Sequence, residues 1–433
     1  MEKRFDSALT PLAAADPENP HLIGMWCPPR AELMVNFEAA DLLFKEAAAA
    51  GFNMMWYYYP GTEKAQIILD AAGANGLTVL MSVPGGIDFD KNNPTHAGVI
   101  TQFKDHPALY GFNIMDEPVA QLFDQLAGVK VQVKELMGAT DKPVIVNLFP
   151  NYASNTQLGY TDELSRKAAY EAHVRDYCDI FNPEILCYDH YPFSKSMLAS
   201  DFVFEKDMST YFENISTVRT NAWDRDIPMW LFIQAVAWGG MANPTKDQQR
   251  FLMNAALVFG VKNTLYFFYQ MPYPDETYGE GFTKYPVDFE GNPTEDYYKV
   301  QQVNAEFKNY LDIYAGFESK GVLLTNASPG MKWSIVKDIT LPNNFAGIKS
   351  IKAYDGAVRK KTLITGGFEH ESNGLKGLYV FNYDFKNQTN ATICFSTKRQ
   401  IEVYGEQGLE QIFTGDKVEM TLLEGGGKFI VLG

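Results

Sequence analysis

The chain has 433 residues, 46% hydrophobic and 21% charged, the composition of a folded soluble protein too long for one ordinary core; two domains are expected. A net charge of −16 leaves no basic face for phosphates, so nucleic acid is excluded as a partner and the charge reads as solubility. No run of about 18 apolar residues occurs, so no membrane span is expected.

Residues 1–20 read as an N-terminal extension without the apolar core of a secretory signal. Two compartments fit this: an intracellular protein, or a periplasmic or secreted one whose signal has been removed. From 21 to 318, short β-rich runs alternate with helical stretches, the pattern of βα units around a parallel sheet. Strands are predicted at 21–27, 52–59, 77–83, 109–115, 143–148, 184–191, 228–235 and 263–269. Helices are predicted at 31–50, 62–74, 97–103, 120–137, 162–178, 208–222 and 246–260, with a closing helix over 297–314. Gly51 and Gly260 supply left-handed helix stops. Eight such units over about 300 residues predict an α/β fold, a (β/α)8 TIM barrel.

Beyond Gly316 the helical period disappears. Short strands at 361–366, 377–382, 391–396, 402–404 and 429–432 are parted by Gly, Asn and Lys. Residues 319–433 are therefore expected to form a small all-β C-terminal domain, a β-sandwich accessory to the barrel.

Function is read from the strand ends, because catalytic groups of such barrels sit at the carboxyl ends of the strands. The run LYGFNIMDEP (109–118) is the most informative: an apolar strand finishes on Asp116 and Glu117, then Pro118. Other strand ends carry Trp26, Tyr57, Asn147, Asp189, His190, Tyr191, Gln234, Trp238, Tyr269 and Gln270. Aromatic residues make up 14% of the chain. Aromatic walls with a few placed polar groups suit a sugar, whose apolar face stacks on rings while acids and amides bind its hydroxyls.

Glycoside cleavage needs an acid to protonate the leaving oxygen and a group to stabilise the oxocarbenium-like centre. Glu117 is the candidate acid/base and Asp116 its support, since adjacent carboxylates raise one pKa of a pair. Neighbours on a strand face opposite ways, so at most one of the two is expected to point straight into the mouth, unless the strand end twists. Asp189 is a candidate to bind hydroxyls or to orient His190.

No Cys pair or His spacing forms a zinc site, and no metal or organic cofactor is expected. Gly85–Gly86 lacks the Lys and Ser/Thr of a phosphate loop. No GxSxG elbow occurs.

The stretch 103–118, FKDHPALYGFNIMDEP, resembles the fourth-strand region of TIM-barrel glycoside hydrolases. FLMNAALVFGVKNTLYFFY (251–269) resembles their last helix and eighth strand, and 300–325 the closing helix and entry into their C-terminal β domain. The resemblance implies a carbohydrate-active enzyme of bacterial type. It also implies two competing mechanisms. The retaining clan places its acid/base at the end of strand four, where Glu117 stands, and its nucleophile at the end of strand seven, where this chain has Gln234. A neutral amide cannot be that nucleophile. The N-acetylhexosaminidases of families 20 and 123 use an Asp–Glu pair at strand four while the substrate's own acetamide attacks; Asp116–Glu117 resembles that pair. Glu276 and Glu280 are further candidates for a second carboxylate.

The expected protein is thus a glycosidase acting on O-glycosyl bonds of oligo- or polysaccharides. Its alternative is a non-catalytic carbohydrate-binding protein on a degenerate barrel, which Gln234 favours. A third class, a scaffold protein, predicts no open aromatic cleft.

Overall fold

The computed structural model describes residues 4–15, 20–198, 208–274, 281–327, 341–355 and 359–433. Among them, eight parallel strands close into a barrel in chain order: β1 (Ile23–Met25), β2 (Met54–Tyr57), β3 (Thr78–Ser82), β4 (Leu109–Asp116), β5 (Val144–Leu148), β6 (Leu186–Asp189), β7 (Met229–Gln234) and β8 (Asn263–Phe267). β8 pairs back onto β1, so no barrel edge is left open. The strands are rich in apolar residues because both faces of the sheet are covered; all six residues of β7, MWLFIQ, are buried.

The helices between them are α1 (Phe37–Ala49), α2 (Thr62–Ala74), α3 (Pro94–Phe103), α4 (Phe123–Met137), α5 (Asn155–Leu158), α6 (Arg166–Phe181), α7 (Ser209–Trp223) and α8 (Lys246–Val258). Side chains mark where they start. Asn36 accepts from the Ala39 N–H at 2.9 Å, Ser165 from Ala168 at 3.2 Å, and Thr245 with Gln248 closes a capping box. The helix predicted over 31–50 is split, because Asn36 caps α1 and leaves only a 3₁₀ turn at Ala31–Leu33. The closing stretch divides into α9 (Glu295–Lys308) and α10 (Leu311–Ala315). Among the described residues no helix is long and apolar enough to cross a membrane.

A separate antiparallel sheet follows: β9 (Phe317–Thr325), β10 (Ile348–Asp355), β11 (Arg359–Lys360), β12 (Leu363–His370), β13 (Lys376–Asn382), β14 (Thr389–Gly405), β15 (Gly408–Leu422) and β16 (Gly427–Leu432). Its order is β11-β10-β14-β16-β13-β12-β9, with β15 along β14. The first half of β14 pairs with β10 and its second half with β16. Both halves feed one buried cluster that includes Ala353, Ile393, Leu378, Val403 and Ile430. The strands expected to make a sandwich form one continuous antiparallel sheet among the described residues. The N-terminal extension joins this domain: the Ile412 N–H donates to the Arg4 carbonyl and the Asp6 N–H to the Ile412 carbonyl, both at 2.8 Å. Barrel and sheet are joined by a buried polar link, in which Tyr379 donates to Asn254 Oδ1 at 2.7 Å and Asn254 Nδ2 to the Gly425 carbonyl at 3.0 Å.

Candidate active site

A cavity of about 630 Å³ opens at the carboxyl ends of the barrel strands. Asp116, Glu117, Asn147, Asp189 and His190 are among its polar lining residues, and Trp26, Tyr152, Tyr191 and Trp238 are among its aromatic walls. That size falls in the range of ordinary ligand pockets.

Asp116 closes β4, and Glu117 follows it with φ of 47°. This left-handed backbone is costly for a residue with a Cβ, and it turns the chain between the two side chains. Both residues line the cavity, and the left-handed turn at Glu117 is the strand-end twist that strand alternation allows for. The turn is held from β5: Asn147 is the register partner of Asp116, and its carbonyl accepts the Glu117 N–H at 2.8 Å.

The Asn147 side chain sits between two acids. Its Nδ2 donates to Asp116 Oδ1 at 3.0 Å and to Asp189 Oδ1 at 3.3 Å, while its Oδ1 accepts from Cys187 Sγ at 3.4 Å. Asp116 opens onto the cavity, yet protein encloses it on its other sides. That enclosure pushes its carboxyl up to about 6, against the pull of the Asn147 N–H. Burial, rather than the adjacent carboxylate, is the cause. Asp189, at the end of β6, is 3% exposed. Its carboxyl is hydrogen-bonded to that of Glu117, and burial, then the charges of Glu117 and Asp116, hold it well above the usual carboxylate range.

His190 is not oriented by Asp189. Its Nδ1 meets Asn214 Oδ1 at 2.8 Å, and the same oxygen accepts the Asn151 backbone N–H at 2.9 Å. A backbone N–H can only donate, so that atom is the amide oxygen and His190 carries its proton on Nδ1. Nε2 is left as an acceptor. Burial pulls the imidazole down to about 4 although the Asn214 bond opposes it, so the ring is neutral at pH 7. It packs between Tyr152 at 4.9 Å and Tyr211 at 5.1 Å.

The aromatic walls form two groups. Trp26 contacts Trp56, Tyr58 and Phe232 at centroid distances of 5.3, 5.4 and 5.7 Å. Tyr191, Trp238 and Phe267 contact one another at 5.0–5.4 Å. Offset and edge-on contacts of this kind hold rings rigidly while leaving a face free.

Four residues singled out at strand ends lie off the cavity wall. Tyr57 is buried, with its hydroxyl donating to the Pro29 carbonyl at 2.6 Å. Gln234 spends its amide on backbone: Oε1 accepts from Phe193 N–H at 3.0 Å, and Nε2 donates to the carbonyls of Phe193 at 3.1 Å and Ala242 at 2.8 Å. Tyr269 packs edge-on against Phe52 at 5.4 Å. Gln270 accepts from Arg30 N–H at 2.7 Å and donates to the Asp288 carbonyl at 3.0 Å. Glu276 and Glu280 lie outside the described residues.

The cavity also has walls that the sequence reading missed. Tyr152 and Phe149 come from FPNYAS, directly after β5, where the carboxyl-end rule could have found them. Phe232 lies inside an apolar strand run and carries no local signal, whereas Phe267 ends β8, where the same rule could have found it. Among the described residues no group of three or more His, Cys, Asp or Glu is arranged to hold a metal ion.

The fold and the mouth define a (β/α)8 barrel with an acidic, aromatic-walled pocket and an all-β C-terminal domain. No protein-family profile and no curated protein matches the sequence. Among solved structures the chain is similar to barrel glycoside hydrolases. One is a family 39 glycoside hydrolase from the gut symbiont Bacteroides cellulosilyticus, at 12% identity and a TM-score of 0.47, covering 96% of this chain and 81% of that one. A second is a family 27 β-L-arabinopyranosidase from Geobacillus stearothermophilus, at 8% identity and 0.47, covering 96% of each chain. A third is a family 2 β-galacturonidase from Eisenbergiella tayi, at 15% identity and 0.44, covering 66% of this chain and 51% of that one. The chemistry rests on this chain's own side chains.

Proposed function

We propose that the protein is a glycoside hydrolase cleaving O-glycosidic bonds of oligo- or polysaccharides, with Glu117 as general acid/base. One observation carries this reading: Asp116, Glu117 and Asp189 converge on a single aromatic-walled cavity, with Glu117 hydrogen-bonded to the more deeply buried Asp189. Two carboxyls in contact cannot both ionise readily, so the pair retains a proton near neutral pH. Glu117, half-buried and facing the cavity, is the member that delivers it.

In the reaction Glu117 gives its proton to the glycosidic oxygen. The C–O bond breaks, its electron pair goes to that oxygen, and positive charge develops at the anomeric carbon and ring oxygen. The Asp116 carboxylate supports that charge. Water then attacks, giving one proton back to Glu117, and the hemiacetal is released.

The contacts of the three acids bear on the nucleophile. One amide nitrogen lies 3.0 Å from an Asp116 oxygen and 3.3 Å from an Asp189 oxygen. Asp116 and Asp189, at the ends of two different strands, are thus tied to one amide. Glu117 and Asp189 are in contact, which leaves no room for a sugar between them. Asp116 is then the acid left to act at the anomeric carbon, either by bonding to it or by holding a substrate acetamide through its N–H. The locked Gln234 amide supports a nucleophile that does not come from β7.

The test is hydrolysis of a panel of aryl glycosides with and without an N-acetyl group. Cleavage confined to N-acetyl sugars supports acetamide assistance, and cleavage of plain sugars supports Asp116 as nucleophile. Binding of saccharides with no cleavage across the panel would instead support the carbohydrate-binding alternative.

A further inference from the structure

Asp116 lines two cavities. Besides the main one, it borders a hollow of about 260 Å³ formed by Tyr58, Tyr59, Ser82, Pro84–Gly86 and Asn113–Met115. The hollow lies over the carboxyl ends of β2, β3 and β4, so the two spaces meet at the second carboxylate of the proposed site. Tyr58 stands at the junction. Its residue is 62% exposed, and its ring contacts Trp26 of the main cavity edge-on at 5.4 Å. The floor is polar: Ser82 and Asn113 are 7% and 2% exposed, the Ser82 hydroxyl donates to Asn113 Oδ1 at 2.6 Å, and Asn113 Nδ2 donates to the Met115 carbonyl at 3.2 Å. The serine oxygen keeps its acceptor lone pairs and the amide keeps a second N–H. Gly85 and Gly86, with φ of 80° and 55°, bring backbone rather than side chains to the rim.

The geometry points to a second saccharide subsite here, holding a further ring of the chain whose reacting unit occupies the main cavity. An exposed tyrosine face beside a buried hydroxyl–amide pair is what a pyranose needs: a stacking platform for its C–H face and polar partners for its hydroxyls. The inference rests on the hydrolase reading and deepens it. The substrate is an oligo- or polysaccharide, and Tyr58 is a specificity residue for its length.

The experiment compares kcat/KM of wild type, Tyr58→Ala and Tyr58→Trp on the aryl monosaccharide that the panel identifies and on the aryl di- and trisaccharides of the same sugar. The wild type is expected to prefer the longer substrates. Tyr58→Ala is expected to lose at least about tenfold more on the trisaccharide than on the monosaccharide, and Tyr58→Trp to restore the preference. Equal losses on all three lengths, or a wild type indifferent to length, would overturn the subsite while leaving the hydrolase standing. A wild type that cleaves no glycoside of any length would remove the hydrolase reading, and the subsite with it.

Discussion

The carboxyl of Asp189, at the end of β6, is hydrogen-bonded to the carboxyl of Glu117, the first residue past β4. Two strands that are not neighbours in the barrel thus bring two carboxyls together above its mouth. Burial is the main reason that the Asp189 carboxyl is held well above the usual carboxylate range, and two nearby acids add to it.

Asp189→Asn removes the proton store but keeps a side chain of the same shape. We expect kcat to fall by about 10²-fold. Stability should move the other way. The folded-state pKa of Asp189 is raised, so its contribution to stability is fully present below its unfolded value and is lost as pH rises toward the folded one. The asparagine variant should therefore gain over wild type at pH 7 and not at pH 3.5. Urea unfolding at the two pH values checks this, and a variant less stable than wild type at pH 7 would count against the buried acid.

Asp116 must be ionised to support positive charge, and its carboxyl is pushed up to about 6 by burial. The acid limb of kcat/KM should accordingly fall near pH 6. Asn147 stabilises the ionised form through its 3.0 Å bond, so Asn147→Ala should move that limb to higher pH. A limb that stays in place or moves down in the variant contradicts the assignment of Asp116.

Gln234→Glu places a carboxylate where the nucleophile of a retaining barrel would stand. Here the amide nitrogen donates to two carbonyls in a fully buried site. A carboxylate would set oxygen against oxygen, with the charge unpaired. A loss of about 3 kcal/mol in unfolding free energy is expected, with no gain in turnover. A variant as stable as wild type and faster on aryl glycosides would show that β7 was the nucleophile's place after all.

The barrel was legible because local pattern and global fold agree: short apolar runs such as β7, rich in aromatic residues, read as buried strands, and residues such as Asn36 and Thr245 mark helix starts. Glu117 was legible because an apolar strand has no reason to end on acids unless they face a polar space. The use of each polar group was less legible. Gln234 and Asn147 are both amides at strand ends, yet one is consumed by backbone and the other bridges two acids. That difference depends on loops returning from residues 193 and 242 and on Asp189, none of which local periodicity reveals. The left-handed turn at Glu117, which brings both acids to one side, likewise has no signal in the residue type.

The central claim is that Glu117 gives the leaving oxygen its proton. The most direct measurement is kcat for Glu117→Gln on aryl glycosides of one sugar with graded leaving groups. The account predicts a loss of about 10³-fold for a poor leaving group such as phenol, little loss for dinitrophenol, which departs without a proton, and saccharide binding unchanged. Equal rates in variant and wild type for the poor leaving group would contradict it.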